Sequence, residues 1–143
     1  MMKNDAVRRS RGWAVALAVA LAILHPACGG DNNGNGSETF TDSETLSVLE
    51  PFGLVFTAQR NGVVEVDVNW NDSDNDIDVF VTRGTCANFD ILLDGGCNVI
   101  ASSDSTAKPE RLNFNITSGT IYTVWAWNIG PGTDTVTIRL VAR

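Results

Sequence analysis

Histidine, cysteine and basic side chains are scarce in this 143-residue chain, and each scarcity excludes a class of chemistry. The single histidine, His25, falls in an N-terminal segment that reads as a cleaved export signal. The mature chain then keeps no histidine, and a Ser–His–Asp triad is excluded. Three cysteines without histidine also fall short of the four soft ligands that a structural zinc site takes. Basic residues are few and unevenly placed. Lys3, Arg8, Arg9 and Arg11 are four of the ten Lys and Arg, whereas Asp5 is one of seventeen Asp and Glu, so the rest of the chain holds six against sixteen and a net charge of about −10. That charge repels a phosphate backbone, which excludes nucleic acid as a partner, and it argues equally against docking on anionic lipid through a basic patch. Helical periodicity is missing as well, since no stretch of useful length beyond residue 40 repeats its apolar residues at three and four.

What is present begins with an address. Residues 3–11 are basic, Trp13 to Leu24 is an apolar run, and small or turn-forming residues lead to Cys28, the layout of a signal peptide over residues 1–27. The run is shorter than the roughly 20 residues of a membrane span. Arg8 and Arg9 suggest a twin-arginine pair, but Arg11 and Gly12 do not continue that motif. His25, Pro26, Ala27 and Cys28 resemble a lipobox, with His25 standing where an aliphatic residue is usual. Lipidation of Cys28 also resolves the odd cysteine count, leaving Cys86 and Cys97 to form a disulfide worth about 3 kcal/mol in an oxidising compartment. Gly29 to Ser37 offers nothing apolar to bury, and residues 28–39 are expected to form a flexible tether.

From residue 40 to 143 a single all-β domain is expected. Val64, Val66, Val68 and Trp70 alternate with Glu65, Asp67 and Asn69, the pattern of a strand with one core face and one wet face. Asn61 and Gly62 suit a tight turn, which predicts that residues 52–59 pair with this strand as a hairpin. Further alternations bury Ile77, Val79 and Val81; Leu112, Phe114 and Ile116; Tyr122, Val124 and Ala126; and Val136, Ile138 and Leu140. Weaker strands near 44–49 and 98–102 bring the count to about eight, which predicts a two-sheet, jelly-roll-like sandwich of short antiparallel strands.

Three pieces in order resemble the bacterial pre-peptidase C-terminal domain: Gly62 to Trp70, Asp76 to Val81 reading D-I-D-V-F-V, and Glu110 to Ala126 reading E-R-L-N-F-N-I and then S-G-T-I-Y-T-V-W-A. The resemblance spans residues 44–142. It implies a β-sandwich without catalysis of its own, an accessory module for secretion or targeting, with relatives that bind collagen and calcium. The chain departs from the family in having no peptidase beside the domain and in the segment between Cys86 and Cys97.

Two groups of residues invite a binding role. Asp72, Asp74, Asp76 and Asp78 concentrate carboxylates between two strands, and calcium takes six to eight oxygen ligands. An EF-hand is excluded, because counting from Asp72 the sixth position is Ile77 instead of Gly and the twelfth is Arg83 instead of Glu. The alternative is an Asx-rich turn whose side chains bond nearby amides. If Tyr122, Val124 and Ala126 face the core, then Trp125 and Trp127, with Phe80 on another strand, point outward, where indoles can stack on sugar rings or Pro-rich peptide; the alternative is that loops cover them. No catalytic residue is assigned. A carboxylate pair such as Asp72 with Asp104 has nothing in its spacing to set a working separation.

The reading is therefore a non-catalytic accessory or binding module, exported and held to the bacterial envelope by a lipid. A carbohydrate- or matrix-protein-binding module and a purely structural lipoprotein are the alternatives. No cofactor beyond calcium is suggested. The partners expected are the membrane, reached through the lipid, and a polysaccharide or an envelope protein. Gly29 and Gly30 lack the Asp that retains some lipoproteins at the inner membrane, which favours the outer membrane or surface.

Overall fold

A computed structural model describes residues 36–143. The signal peptide, Cys28 and most of the tether lie outside the described residues. Among the described residues no helix is long and apolar enough to cross a membrane.

Eight strands follow one another: β1 (Glu38–Leu46), β2 (Pro51–Thr57), β3 (Gly62–Trp70), β4 (Ile77–Arg83), β5 (Val99–Ser103), β6 (Glu110–Ile116), β7 (Ile121–Asn128) and β8 (Asp134–Ala142), with one short helix, α1 (Phe89–Leu93), between β4 and β5. They form two antiparallel four-stranded sheets, ordered β1-β8-β3-β6 and β2-β7-β4-β5. Only β4 and β5 are consecutive strands paired with each other; every other connection crosses between sheets, as in a jelly roll.

The core lies between the sheets, and the alternating residues supply it as expected. Val64, Val68, Ile77, Val79, Val124, Val136, Ile138 and Leu140 are all fully buried. Toward one end the filling is aromatic: Phe56 stacks on Tyr122 at 5.6 Å between ring centroids, and Phe114 lies 5.5 Å from the same ring. The buried Tyr122 hydroxyl is satisfied by the Thr117 amide at 3.0 Å.

Several expectations need correction. Residues 52–59 do not pair with β3: β2 pairs with β7, while β3 sits between β8 and β6. Asn61 does not make a tight hairpin turn; its side chain accepts the Ser118 amide at 2.9 Å as the chain crosses from one sheet to the other. Gly62 is needed for closeness, because a Cβ there would run into the Arg143 carbonyl. The first strand also starts at Glu38, inside the expected tether, and ends at Leu46 instead of running to residue 49. Its pairing with β8 through Glu38–Ala142 and Thr39–Val141 is made by backbone, so the polar side chains there do not prevent it. The helix was not expected, although Asn88 caps it by accepting the Ile91 amide at 3.0 Å and Gly95 follows it at φ +76°.

Candidate functional site

The crossovers gather four connections at one end of the sandwich: residues 47–50, 71–76, 104–109 and 129–133. Buried amides and one carboxylate tie them together. The Asn128 side chain, with no exposed surface, donates to the carbonyls of Leu46 at 3.0 Å and Gly132 at 2.8 Å and accepts the Gly130 amide at 3.1 Å. Asn75 donates to Gly132 at 3.1 Å, and its own carbonyl accepts the Trp70 indole. Asp134 accepts the amides of Asn71, Asp72 and Thr135 at 2.7–3.0 Å. Burial alone would push the Asp134 carboxyl up; the amides of Asp72, Asn71 and Thr135 and the Asn75 side chain outweigh it and hold the group below its ordinary value. Three loops are thus fixed by groups that β7 and β8 present at their ends.

The acidic stretch does not act as one set. Asp72 and Asp74 are exposed and form a local turn in which Asp72 Oδ1 accepts the Asp74 amide at 2.9 Å, the Asx geometry weighed above. Asp76 and Asp78 belong to a different group, with Asp104, considered above only beside Asp72, and Glu110, which the sequence did not single out. The last pair of β4 with β5 is Val79 with Ser103, which leaves Asp78 and Asp104 side by side. Glu110, 2% exposed at the start of β6, accepts the Ser103 hydroxyl at 3.0 Å. Burial pushes Asp78 above the usual carboxylate range, and the charges of Asp76 and Asp104 add to that. Burial likewise pushes Glu110 up to about 7, against the Ser103 hydroxyl and the Ser105 amide and with the help of the Asp78 and Asp76 charges. The signal for Glu110 was available: it occupies the inward phase of its strand, in step with Leu112, Phe114 and Ile116.

Phe80, Trp125 and Trp127 do share the outer face of the second sheet, in cross-strand register as Phe80–Trp125 and Asp78–Trp127. They are half-buried rather than open. Phe89 of α1 lies over all three, with ring centroids 6.0 Å from Phe80, 5.6 Å from Trp125 and 5.4 Å from Trp127. The Trp125 indole donates to the Thr82 hydroxyl at 3.2 Å. The segment carrying Phe89 is closed by the Cys86–Cys97 disulfide, whose Cα atoms are 5.6 Å apart. The disulfide loop therefore covers the face on which a flat ligand would stack.

An exposed apolar tip at the loop end was not foreseen. Leu49 is 63% exposed and Val48 46%, with Ile129 beside them at 36%. Leu49 has φ +65°, the left-handed region that costs a leucine roughly 1–2 kcal/mol. It is held there because its amide donates to the Asn128 carbonyl at 2.7 Å, while the Asn128 amide donates to the Glu50 carbonyl at 3.2 Å. A depression on the outer face of the first sheet carries an Arg111–Asp67 ion pair at 2.8 Å.

Fold and loop architecture define a jelly-roll sandwich with its connections locked at one end. Among solved structures, a mitogen derived from Yersinia pseudotuberculosis is similar at a TM-score of 0.55 and 16% identity, covering 74% of this chain and 86% of that one. A periplasmic inhibitor of g-type lysozyme from Aeromonas hydrophila is similar at a TM-score of 0.53 and 9% identity, covering 79% and 93%. At such identities the likeness is one of fold. No family model and no curated protein sequence matches the chain, so these comparisons lend the pre-peptidase C-terminal resemblance no support.

Proposed function

We propose that this chain is a non-catalytic binding module of the bacterial cell envelope, exported, lipid-anchored at Cys28, and engaging a protein partner through its locked loop end. The observation that carries the reading is Leu49, an exposed leucine held in a strained backbone conformation by hydrogen bonds to residues flanking the neighbouring loops. Strain of this kind persists where surrounding structure over-determines it, and it concentrates at ligand clamps and switches. A backbone already fixed in place has less entropy to lose when the apolar side chain it offers to solvent docks on a partner. The fold's likeness to a periplasmic lysozyme inhibitor is consistent with a partner of that class. The segment from Cys28 to Ser37 would give the module reach from the membrane, with the glycines after the cysteine favouring the outer membrane or surface.

The test places a photo-crosslinking residue at position 49, or at the exposed Thr41 in the middle of β1 as a control, in the full chain expressed in bacteria. A protein adduct at 49 and none at 41 supports the reading. The absence of an adduct at 49, combined with retention of the protein on chitin, cellulose, peptidoglycan or collagen, would replace it with polymer binding. Mass spectrometry of the mature N-terminus tests the anchor: a lipid-modified Cys28 is expected, and cleavage elsewhere would refute it.

A further inference from the structure

Positive charge is scarce in this protein and concentrated in one place. The outer face of β3, β6 and β8, continued by Arg143, carries Arg111, Arg139 and Arg143 against two carboxylates, Glu65 and Asp67. These are three of the six basic side chains beyond residue 28, and they give this face one positive charge in surplus on an otherwise acidic domain.

The charges are ordered by strand register. Asp67 on β3 is paired with Arg139 on one side and Arg111 on the other, so the three side chains form one row across the sheet. With strands about 4.8 Å apart, the two arginine backbones stand roughly 10 Å from each other. Asp67 Oδ2 takes the Nε of Arg111 at 2.8 Å, and Glu65 takes Arg143 at 2.9 Å. Arg111 is held through Nε alone, which leaves the Nη pair of its guanidinium for another acceptor. Arg139 enters neither ion pair among the described residues, although it stands exposed on a central strand next to the same carboxylate.

Glu65, Asp67, Arg111, Asn113 and Arg139 surround a depression of about 450 Å³, within the size range of small-ligand sites. Its polar groups are mixed: guanidinium donors, carboxylate acceptors, and the Asn113 amide, which does both. Val66 and Leu112 complete the lining but pack toward the core, so the floor is peptide backbone and not an apolar surface. A fitting occupant therefore hydrogen-bonds over most of its surface and carries a negative charge. A bare phosphate or sulfate is repelled by Asp67 and Glu65, and a peptide brings apolar side chains that nothing here receives. An acidic saccharide meets each condition, because its hydroxyls donate to carboxylates and its own carboxylate accepts two parallel bonds from a guanidinium fork.

We propose that the depression on the outer face of the first sheet binds a carboxylate-bearing saccharide. Arg139 and the Nη pair of Arg111 take the carboxylate, while Asp67, Glu65 and Asn113 take the hydroxyls. The site is separate from the aromatic face of the second sheet and from Leu49 at the loop end, so it is independent of the protein-partner reading.

Titration calorimetry of the full chain at low salt tests the site with short oligomers of galacturonate, mannuronate and hyaluronate, each beside its methyl ester. Saturable binding of at least one acidic oligomer is expected, weakened at least about tenfold by esterification. Arg139→Gln removes the charge from an exposed side chain and should weaken binding by a similar factor, with an unchanged unfolding midpoint; Arg111→Gln is the second variant should Arg139→Gln fail to fold. Leu49→Gly and Arg83→Gln should bind as the wild type does. Absence of binding by all three oligomers would overturn the proposal, and so would equal binding of an oligomer and its ester, or full binding by a folded Arg139→Gln. Loss of binding in Leu49→Gly would also overturn it, by moving the ligand to the loop end.

Discussion

The Ser103 hydroxyl donates to Glu110 Oε1 at 3.0 Å, joining the edge strand of one sheet to the edge strand of the other. This is a polar clasp at the margin of an apolar core, and its state depends on pH. Burial raises the Glu110 carboxyl from 4.5 to about 7 on folding, so the folded chain holds an extra proton between those values. Stability from this group is fully present below about pH 4.5, falls as pH rises through the window, and levels off above about 7, at up to about 1.4 kcal/mol per pH unit. Asp78 shifts in the same direction. Melting curves across this range should show the decline, and Glu110→Gln should flatten it; a wild-type profile level from pH 5 to 8 would contradict the buried, poorly compensated Glu110.

Asp134 works with the opposite sign. Its folded value lies below the 3.8 of a free carboxyl, so its contribution is present above that value and is lost as pH falls through the folded one. Asp134→Asn should remove this acid-side loss and destabilise the protein at neutral pH, because an amide accepts the Asn71, Asp72 and Thr135 donors less strongly than a carboxylate. Urea titrations at neutral and acid pH would separate the two effects.

Asn128→Ala should be among the most damaging polar substitutions in the domain. It strands the Leu46 and Gly132 carbonyls and the Gly130 amide in a buried setting, at about 1–3 kcal/mol for each group that water cannot reach. Loss of more than about 3 kcal/mol in urea unfolding is expected, with hydrogen exchange rising first in residues 129–133. A loss within about 0.5 kcal/mol would mean that water replaces the amide.

Phe89→Ala should uncover Trp125 and Trp127, shift tryptophan emission to the red, and cost about 3 kcal/mol. Reducing the Cys86–Cys97 disulfide should give the same shift with a loss of about 3 kcal/mol from the loop-closure term. If the uncovered protein then gains retention on a polysaccharide, the aromatic face is a carbohydrate site covered by the loop.

Leu49→Gly should leave the fold intact and stability unchanged to within about 1 kcal/mol, because glycine relieves the left-handed strain while losing an exposed side chain. An unfolding midpoint lowered by a larger amount would show that Leu49 packs on the domain, which would remove it as a docking anchor.

The local half of this structure was legible in the sequence. Side-chain alternation has a period of two residues, so Val64, Val66 and Val68 or Val136, Ile138 and Leu140 declare their buried face without reference to the rest of the chain. Eight strands, a sandwich and the Cys86–Cys97 pair follow from such signals and from cysteine count. Strand neighbours do not. The turn at Asn61 and Gly62 looked like a hairpin because hairpin chemistry is local, whereas pairing β3 with β6 and β8 is decided by which arrangement buries every strand's apolar face at once. For the same reason only the tertiary structure laid Phe89 over the two tryptophans, and only it brought Asp104 and Glu110 to Asp76 and Asp78 from positions 26 to 34 residues away in the chain. Sequence determines which side chains must leave water; the packing of the two sheets determines which of them meet.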